Sequence, residues 1–373
     1  MSTSHFRLQG ISISTLLFVG SSCTPEDLEL NSWQGEHVLY ENSPSLQLCQ
    51  GTHRWVDDFV PFVLDQLELE APPLLDYRWL ERSVLHCPDG VNGCTTFDGV
   101  ASSANPFLLH ELVHATLLTL DIPYQPFFGE GIAVTLDPLN GDDLGPTYLG
   151  RPIGTDTYAD PRPWMTMQTE ELHYGVAGSF VSFLLYRHGP EKLLALMRQL
   201  GTSRDMTVIE QTFREAYALE LDDEAELFIV GTPCTADTGV PVLYDCTAPE
   251  VPWPGNLHLS GELDCAHEDV AGGFSTDANW SSLRSMTFTI PTTADWTTDF
   301  SLNVESTGPI MVQIGPCFGC PWRRREGAAR ASETAEVALA GGLHYMRILG
   351  RSDTTSSYTV NLDSHGPSYP TPQ

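Results

Sequence analysis

Apolar residues recur at two different spacings in the two parts of this chain. Between residues 56 and 229 they follow the spacing of buried helices, as in residues 108–117. Beyond residue 256, short runs alternate apolar and polar residues between turn residues, as antiparallel strands do. We therefore predict an α+β fold, in which a domain of helices and a small sheet precedes an all-β antiparallel sandwich.

Composition places the boundaries between these parts. A segment rich in Pro, Thr and Asp, residues 232–255, is typical of a linker. The other predicted segments are a signal peptide (1–22), an acidic tether (23–34), the mixed domain (35–231), the sandwich (256–366) and a tail (367–373). Inside the mixed domain the pattern predicts strands near 37–40 and 93–100 and helices near 56–69, from Pro106, near 176–187 and from Pro190.

The first residues have the layout of an export signal. Arg7 gives a weakly basic start, and the apolar run 11–20 is too short to span a bilayer. Cys23 ends the sequence GSSC, which resembles the lipobox of bacterial lipoproteins, although Gly20 stands where Leu is usual. We expect an exported protein that is anchored to the bacterial cell envelope by a lipid on Cys23, with simple secretion as the alternative.

The cysteine count agrees with export. Nine cysteines are present, and setting Cys23 aside leaves eight, an even number suited to disulfides. Cys87 and Cys94 can close a short loop. If all eight pair, at least one bridge must join the region before residue 106 to the region after residue 230, and Cys49 is the expected donor. The CFGC motif at 317–320 resembles half of a zinc ribbon, but no second CxxC completes it.

Charge narrows the choice of partners. The net charge is −31, from 18 basic and 49 acidic residues. This balance argues against nucleic acid as a partner, because phosphate binding needs basic patches. The basic segment WRRRE, residues 322–326, is expected to be a solvated loop.

The pentad HELVH carries the most specific chemistry in the chain. Asn105 suits the N-cap and Pro106 the first helical position, so a helix is predicted to begin there. Residues four apart lie on one face of a helix, so His110 and His114 can aim at a single ion. Glu111 lies about a third of a turn away, within reach of a water beside that ion.

A pair of core histidines without a metal is the competing interpretation. Two stacked, buried imidazoles beside a carboxylate are costly without an ion or a network of partners. A second acidic residue, Glu130, lies in the small apolar stretch PFFGEGIAV at residues 126–134, where an unpaired carboxylate would be unusual. Both observations favour a metal site.

HELVH followed by FFGEGIA resembles the gluzincin, or peptidase MA-like, zinc metallopeptidases. The resemblance implies one zinc ion held by His110, His114 and Glu130, with Glu111 as the general base. Two phenylalanines replace the family's Trp-Leu, and Gly129 stands where related aminopeptidases usually have Asn.

A downstream block extends the resemblance. In gluzincins a tyrosine precedes a small-residue helix, and Tyr174 occupies that place before the sequence GVAGSFVSFLL. The resemblance implies that Tyr174 stabilises the oxyanion, with His173 as an adjacent alternative donor. An ordinary aromatic at a helix start is the other interpretation of Tyr174. In gluzincins the sheet edge beside the active site holds extended substrate, and the resemblance implies that a strand near 93–100 would bind the substrate backbone by strand addition.

These features lead to two functional expectations. The first is a zinc-dependent hydrolase that cleaves peptide or protein substrates, as an endopeptidase because the GxMEN segment of aminopeptidases is missing upstream of His110. The second is a non-catalytic, adhesin-like surface lipoprotein with a degenerate or structural zinc site. In the predicted sandwich, a Gly-Gly turn at 341–342 precedes HYMRILG, and SYTVNL follows at 357–362. This order resembles bacterial pre-peptidase C-terminal domains, which implies an accessory role.

Overall fold

The computed structural model describes residues 29–81, 83–85, 87, 93–104, 109–137, 159–230, 244–253, 255–275, 283–292, 298–317, 327–339, 341–350 and 355–367. The predicted signal peptide, the possible lipid site at Cys23, the predicted helix start at Asn105 and Pro106, and the basic segment 322–326 lie outside these ranges.

The described helices are α1 Thr52–Leu67, α2 His110–Thr119, α3 Pro126–Leu136, α4 Tyr174–His188, α5 Pro190–Leu200, α6 Met206–Tyr217 and α7 Leu221–Val230. The described strands are β1 Asn31–Gln34, β2 Val38–Asn42, β3 Leu46–Leu48, β4 Leu75–Trp79, β5 Gly93–Thr95, β6 Ala101–Ser103, β7 Leu257–Leu263, β8 Ala271–Ser275, β9 Leu283–Thr292, β10 Thr298–Ser306, β11 Ile310–Pro316, β12 Gly327–Arg330, β13 Thr334–Leu339, β14 Gly342–Gly350 and β15 Ser356–Pro367.

The N-terminal unit is a small sheet covered by helices. Its strand order is β1-β2-β4-β6-β5, with β2, β4 and β6 parallel and both edge strands antiparallel. Helix α1 buries one apolar face in the core that it shares with the sheet and α2, which follows from apolar residues at helical spacing. Strand β1 lies at the end of the segment that composition assigned to an acidic tether, and it pairs with β2.

The predicted strand near 93–100 is a short hairpin instead. Strand β5 ends at Thr95, the chain turns, and β6 begins at Ala101. Gly99 has a φ of +84°, a conformation that glycine adopts without strain, so the Asp-Gly pair makes the turn. Strand β5 is nevertheless an edge strand, and it lies against α2.

Helices α3 and α4 cross at a pair of glycines. A Cβ on Gly131 would lie 2.8 Å from the carbonyl oxygen of Ala177, and one on Gly178 would lie 2.2 Å from Val134. Glycine at residues 131 and 178 is therefore needed for α3 and α4 to approach closely. This contact fixes the level at which Glu130, the residue before Gly131, enters the core.

The C-terminal unit is the predicted antiparallel sandwich. Its sheets have the orders β13-β10-β15-β7 and β12-β11-β14-β9-β8-β3, and apolar side chains from both fill the space between them. All of the alternating runs near 285–290, 300–304, 310–314, 336–339, 344–350 and 357–362 form strands. The outermost strand of the second sheet, β3, comes from the N-terminal segment and pairs with β8. The predicted boundary at residues 232–255 would place these two paired strands in different domains.

Covalent and polar contacts join the two units. A disulfide links Cys49 to Cys265, as the cysteine positions predicted, and the Cys87–Cys94 bridge is also confirmed. The hydroxyl of Thr52 donates to the carbonyl of Gly272 at 2.6 Å and accepts from its N–H at 2.9 Å. The sandwich is therefore bound to the start of α1.

Residues 244–253, which composition assigned to the linker, are packed between the units. The Tyr244 hydroxyl donates to the carbonyl of Trp55 at 2.6 Å. Asp245 forms an ion pair with Arg347 of β14, and both side chains are at most 3% exposed. Cys246 forms a disulfide with Cys317, the first cysteine of the CFGC motif. Cys317 is therefore not a metal ligand.

We expect Asp245→Asn to lower the free energy of unfolding by about 3 kcal/mol, because it removes the carboxylate that pairs with the buried Arg347 guanidinium. Urea unfolding at neutral pH measures the change. Asp269→Asn removes the exposed partner of Arg54 and serves as the control, with an expected loss below about 1 kcal/mol. Equal losses in the two variants would show that the Asp245–Arg347 pair does not hold residues 244–253 against the sandwich.

Candidate metal centre

Three side chains from two adjacent helices converge at one point. His110 and His114 lie one turn apart on α2, and Glu130 projects from the middle of α3. Nε2 of His110 is 2.8 Å from Oε2 of Glu130, Nε2 of His114 is 3.4 Å from the same oxygen, and the two nitrogens are 3.0 Å apart. The structure therefore brings together the three residues that the sequence predicted as ligands.

The donor set fits a divalent ion. A tetrahedral ion with bonds of about 2.1 Å separates its ligand atoms by about 3.4 Å, close to the three separations found here. Two imidazole nitrogens and one carboxylate oxygen are also the donor types that zinc accepts. Two Nε2 atoms that face each other at 3.0 Å repel unless a proton or a cation lies between them. Within the described ranges, this is the one group of three or more His, Cys, Asp or Glu residues with such geometry.

Electrostatics in the pocket favour a positive charge. Burial by itself lowers the pKa of His110, but the hydrogen bond and charge of Glu130, with the charges of Glu111 and Asp137, outweigh it and raise the pKa to about 9. Burial likewise raises the pKa of Glu130, yet the charge of His114 and the hydrogen bonds from both imidazoles hold that pKa well below its usual range. In the protein without metal, the carboxylates therefore favour the protonated form of His110.

Glu111 follows His110 on α2, and its charge acts on both His110 and Tyr174. Its side chain is 5% exposed, and the hydroxyl of Thr95 lies 2.9 Å from Oε2 and 3.0 Å from the backbone carbonyl oxygen of Glu111. Thr95 belongs to the edge strand β5, and no pattern in the sequence singled it out. The contact ties one carboxylate oxygen of Glu111 and leaves Oε1 available.

Tyr174 faces the pocket from the first residue of α4. Its ring centroid lies 6.3 Å from that of His110. Burial raises the pKa of Tyr174, and the charges of Glu130, Glu111 and Glu170 raise it further, so the phenol stays protonated at neutral pH. No described residue accepts a hydrogen bond from its hydroxyl.

The alternative donor, His173, has another role in the helix. It is the N-cap of α4, and its Nδ1 accepts a hydrogen bond from the N–H of Val176 at 3.2 Å. Its ring packs edge-on against Trp164. Of the two adjacent candidates, Tyr174 is therefore the one that lies against a member of the three-residue cluster.

Tyr124 is a member of the site that the sequence did not reveal. Its hydroxyl donates to Oε1 of Glu130, and its ring packs edge-on against His114 with a centroid distance of 5.4 Å. It lies before α3 in an irregular, Pro-flanked segment, DIPYQP, where no periodic signal exists. Gln125, which follows it, caps α3 by accepting from the N–H of Phe128 at 3.0 Å.

Comparisons with known proteins find similarity in structure alone. No protein-family profile matches the chain, and no protein of curated function matches it in sequence. The pre-peptidase C-terminal domain of a collagenase from Bacillus anthracis covers 31% of this chain and 94% of its own, with 9% identity and a TM-score of 0.23. The periplasmic lysozyme inhibitor PliG of Aeromonas hydrophila covers 32% of this chain and 96% of its own, with 8% identity and a TM-score of 0.22. Likenesses at these TM-scores carry no argument about function.

The described disulfides bear on location. Bonds such as Cys49–Cys265, Cys87–Cys94 and Cys246–Cys317 form and persist in oxidising compartments, which supports export. In the ranges that the structure describes, no helix has the length and apolar character needed to cross a membrane.

We expect zinc binding at pH 7 to release about one proton per ion, because a metal ligand must be neutral and the His110 pKa of about 9 keeps that imidazole charged. The apparent affinity should therefore rise with pH up to about 9. Calorimetric titration in buffers of different ionisation enthalpy measures the proton number. A value near zero would contradict the charged imidazole.

Proposed function

We propose that this protein is a zinc-dependent metallopeptidase of the gluzincin type. The observation that carries the proposal is the convergence of His110, His114 and Glu130 in a buried pocket, with the carboxylate of Glu111 beside it. Three protein ligands leave a fourth position open, as catalytic zinc sites require.

Each residue has a defined task in this proposal. A bound zinc ion would supply Lewis-acid activation of water and of the substrate carbonyl. Glu111, oriented through Thr95, accepts a proton from the attacking water and passes it to the leaving amine. The Tyr174 hydroxyl donates to the oxygen of the scissile carbonyl as negative charge develops on it. Water attacks the carbonyl carbon, the C–N bond breaks, and an acid and an amine are formed.

The edge strand β5 supports a peptide as the substrate. An extended segment can add to a free sheet edge through backbone hydrogen bonds, and β5 lies at such an edge beside α2. Thr95 belongs to this strand and also contacts Glu111, so a peptide bound there lies next to the proposed base. We infer endopeptidase action on exported or cell-surface proteins, with a lipid on Cys23 as the anchor.

Glu111→Gln should retain zinc but lower peptide hydrolysis at least about 10²-fold, because it removes the proton acceptor without removing a ligand. Metal content by mass spectrometry and cleavage of a fluorogenic peptide library, with and without chelator, measure the two effects. His110→Ala should lose both zinc and hydrolysis. His267→Ala, an exposed histidine of the C-terminal unit, is the matched control and should retain both.

Two outcomes would reverse the proposal. A wild-type protein that binds zinc but cleaves no peptide in the library would favour the adhesin-like alternative, with zinc in a structural role. Equal cleavage by the wild type and Glu111→Gln would remove Glu111 from the mechanism.

Tyr174→Phe should lower kcat by about 10²-fold with little change in KM, because the hydroxyl acts on charge that exists only in the transition state. Steady-state kinetics on the best library peptide measure both constants. His173→Asn is the control: it supplies another capping side chain and should keep kcat within a few-fold, about the scale of a helix-cap change. A larger loss in His173→Asn than in Tyr174→Phe would assign the oxyanion donor to His173.

A further inference from the structure

The two oxygens of the Glu130 carboxylate have different partners. Oε2 faces the imidazoles of His110 and His114 at 2.8 and 3.4 Å. Oε1 instead accepts the hydrogen bond of the Tyr124 hydroxyl. The imidazole pair and the Tyr124 hydroxyl therefore contact different oxygens of the same carboxylate.

The Tyr124 hydroxyl is held in place on several sides. The hydroxyl of Thr169 lies 3.5 Å from it and can donate to its oxygen, because the phenolic hydrogen is directed at Glu130. The ring packs edge-on against His114. A Cβ on Gly129 would lie 2.6 Å from Cδ2 of the Tyr124 ring, so the absence of a side chain at residue 129 makes room for that ring.

We propose that Tyr124 is a positioning residue that makes Glu130 a one-oxygen metal ligand. By holding Oε1 away from the ion, it leaves Oε2 as the only oxygen of Glu130 that reaches the metal. The inference rests on the proposed function only in that the pocket holds a metal, and it does not require peptidase activity.

The benefit of this arrangement lies in the coordination number. A carboxylate can bind a metal through one oxygen or through both. Binding through both would fill the position that a catalytic site keeps open for water and substrate. A hydrogen bond to the second oxygen prevents this, and it also fixes the orientation of the carboxylate, as partners of metal ligands commonly do.

The pairing of Tyr124 with Gly129 makes the inference specific to this chain. Gly129 stands one residue before the ligand, at the position where the resemblance to related aminopeptidases leads one to expect Asn. The ring of Tyr124 occupies the space where that side chain would begin. Two substitutions at separate positions can therefore test the same contact.

The test compares zinc affinity and the cobalt spectrum of the full-length variants. Tyr124→Phe keeps the ring and removes the hydroxyl, so we expect zinc to bind about 10- to 100-fold more weakly in competition with a chelator. The cobalt-substituted variant should show weaker visible absorption bands than the wild type, because two-oxygen binding raises the coordination number. Gly129→Ala should shift both readouts in the same direction, since its Cβ displaces the Tyr124 ring.

Tyr174→Phe is the matched control, because it removes a phenolic hydroxyl on another side of the pocket. We expect its zinc affinity and cobalt spectrum to match those of the wild type, and far-ultraviolet circular dichroism verifies that each variant is folded. A Tyr124→Phe cobalt spectrum identical to that of the wild type would overturn the inference, even if zinc bound more weakly. A wild type that binds no zinc would overturn both this inference and the proposed function, whereas zinc binding without peptidase activity would overturn the function alone.

Discussion

Two imidazole nitrogens 3.0 Å apart, both facing one buried carboxylate oxygen, need an electropositive bridge between them, either a proton or a metal ion. In the protein without metal, a proton on one of the two imidazoles supplies it. The hydrogen bond and charge of Glu130, with the charges of Glu111 and Asp137, outweigh burial and raise the pKa of His110 to about 9. A metal ion supplies the bridge more completely, because it satisfies all three donor atoms at once. The packing of α2, α3 and α4 holds the three donors at that spacing.

The two carboxylates of the site are arranged in a similar way. Each has one oxygen in a hydrogen bond with a hydroxyl: Oε1 of Glu130 with Tyr124, and Oε2 of Glu111 with Thr95. The other oxygen of Glu130 faces the imidazoles, whereas Thr95 contacts only one oxygen of Glu111. Neighbours outside the recognisable motif therefore give the two glutamates different surroundings, as the proposed roles of ligand and base require.

The sandwich is an integral part of the structure and not a module on a flexible tether. Strand β3 of the N-terminal segment completes one of its sheets, the Cys49–Cys265 bridge crosses between the units, and Asp245 buries a charge against β14. The Cys49–Cys265 bridge lies just before α1, and α1 packs along its length in the core that includes residues of α2. The C-terminal unit is thus joined to the N-terminal unit near the start of α1.

The sequence by itself determined the features that depend on local spacing. The four-residue interval of His110 and His114, the small-residue stretch around Glu130 and the two-residue period of the C-terminal strands each specify geometry within one element. Tertiary structure alone decided that Tyr124 and Thr95 reach the two carboxylates, that residues 93–100 turn back as a hairpin, and that β3 joins the distant sandwich. Those contacts depend on how separate elements pack, and a period within one element carries no information about its neighbours in space.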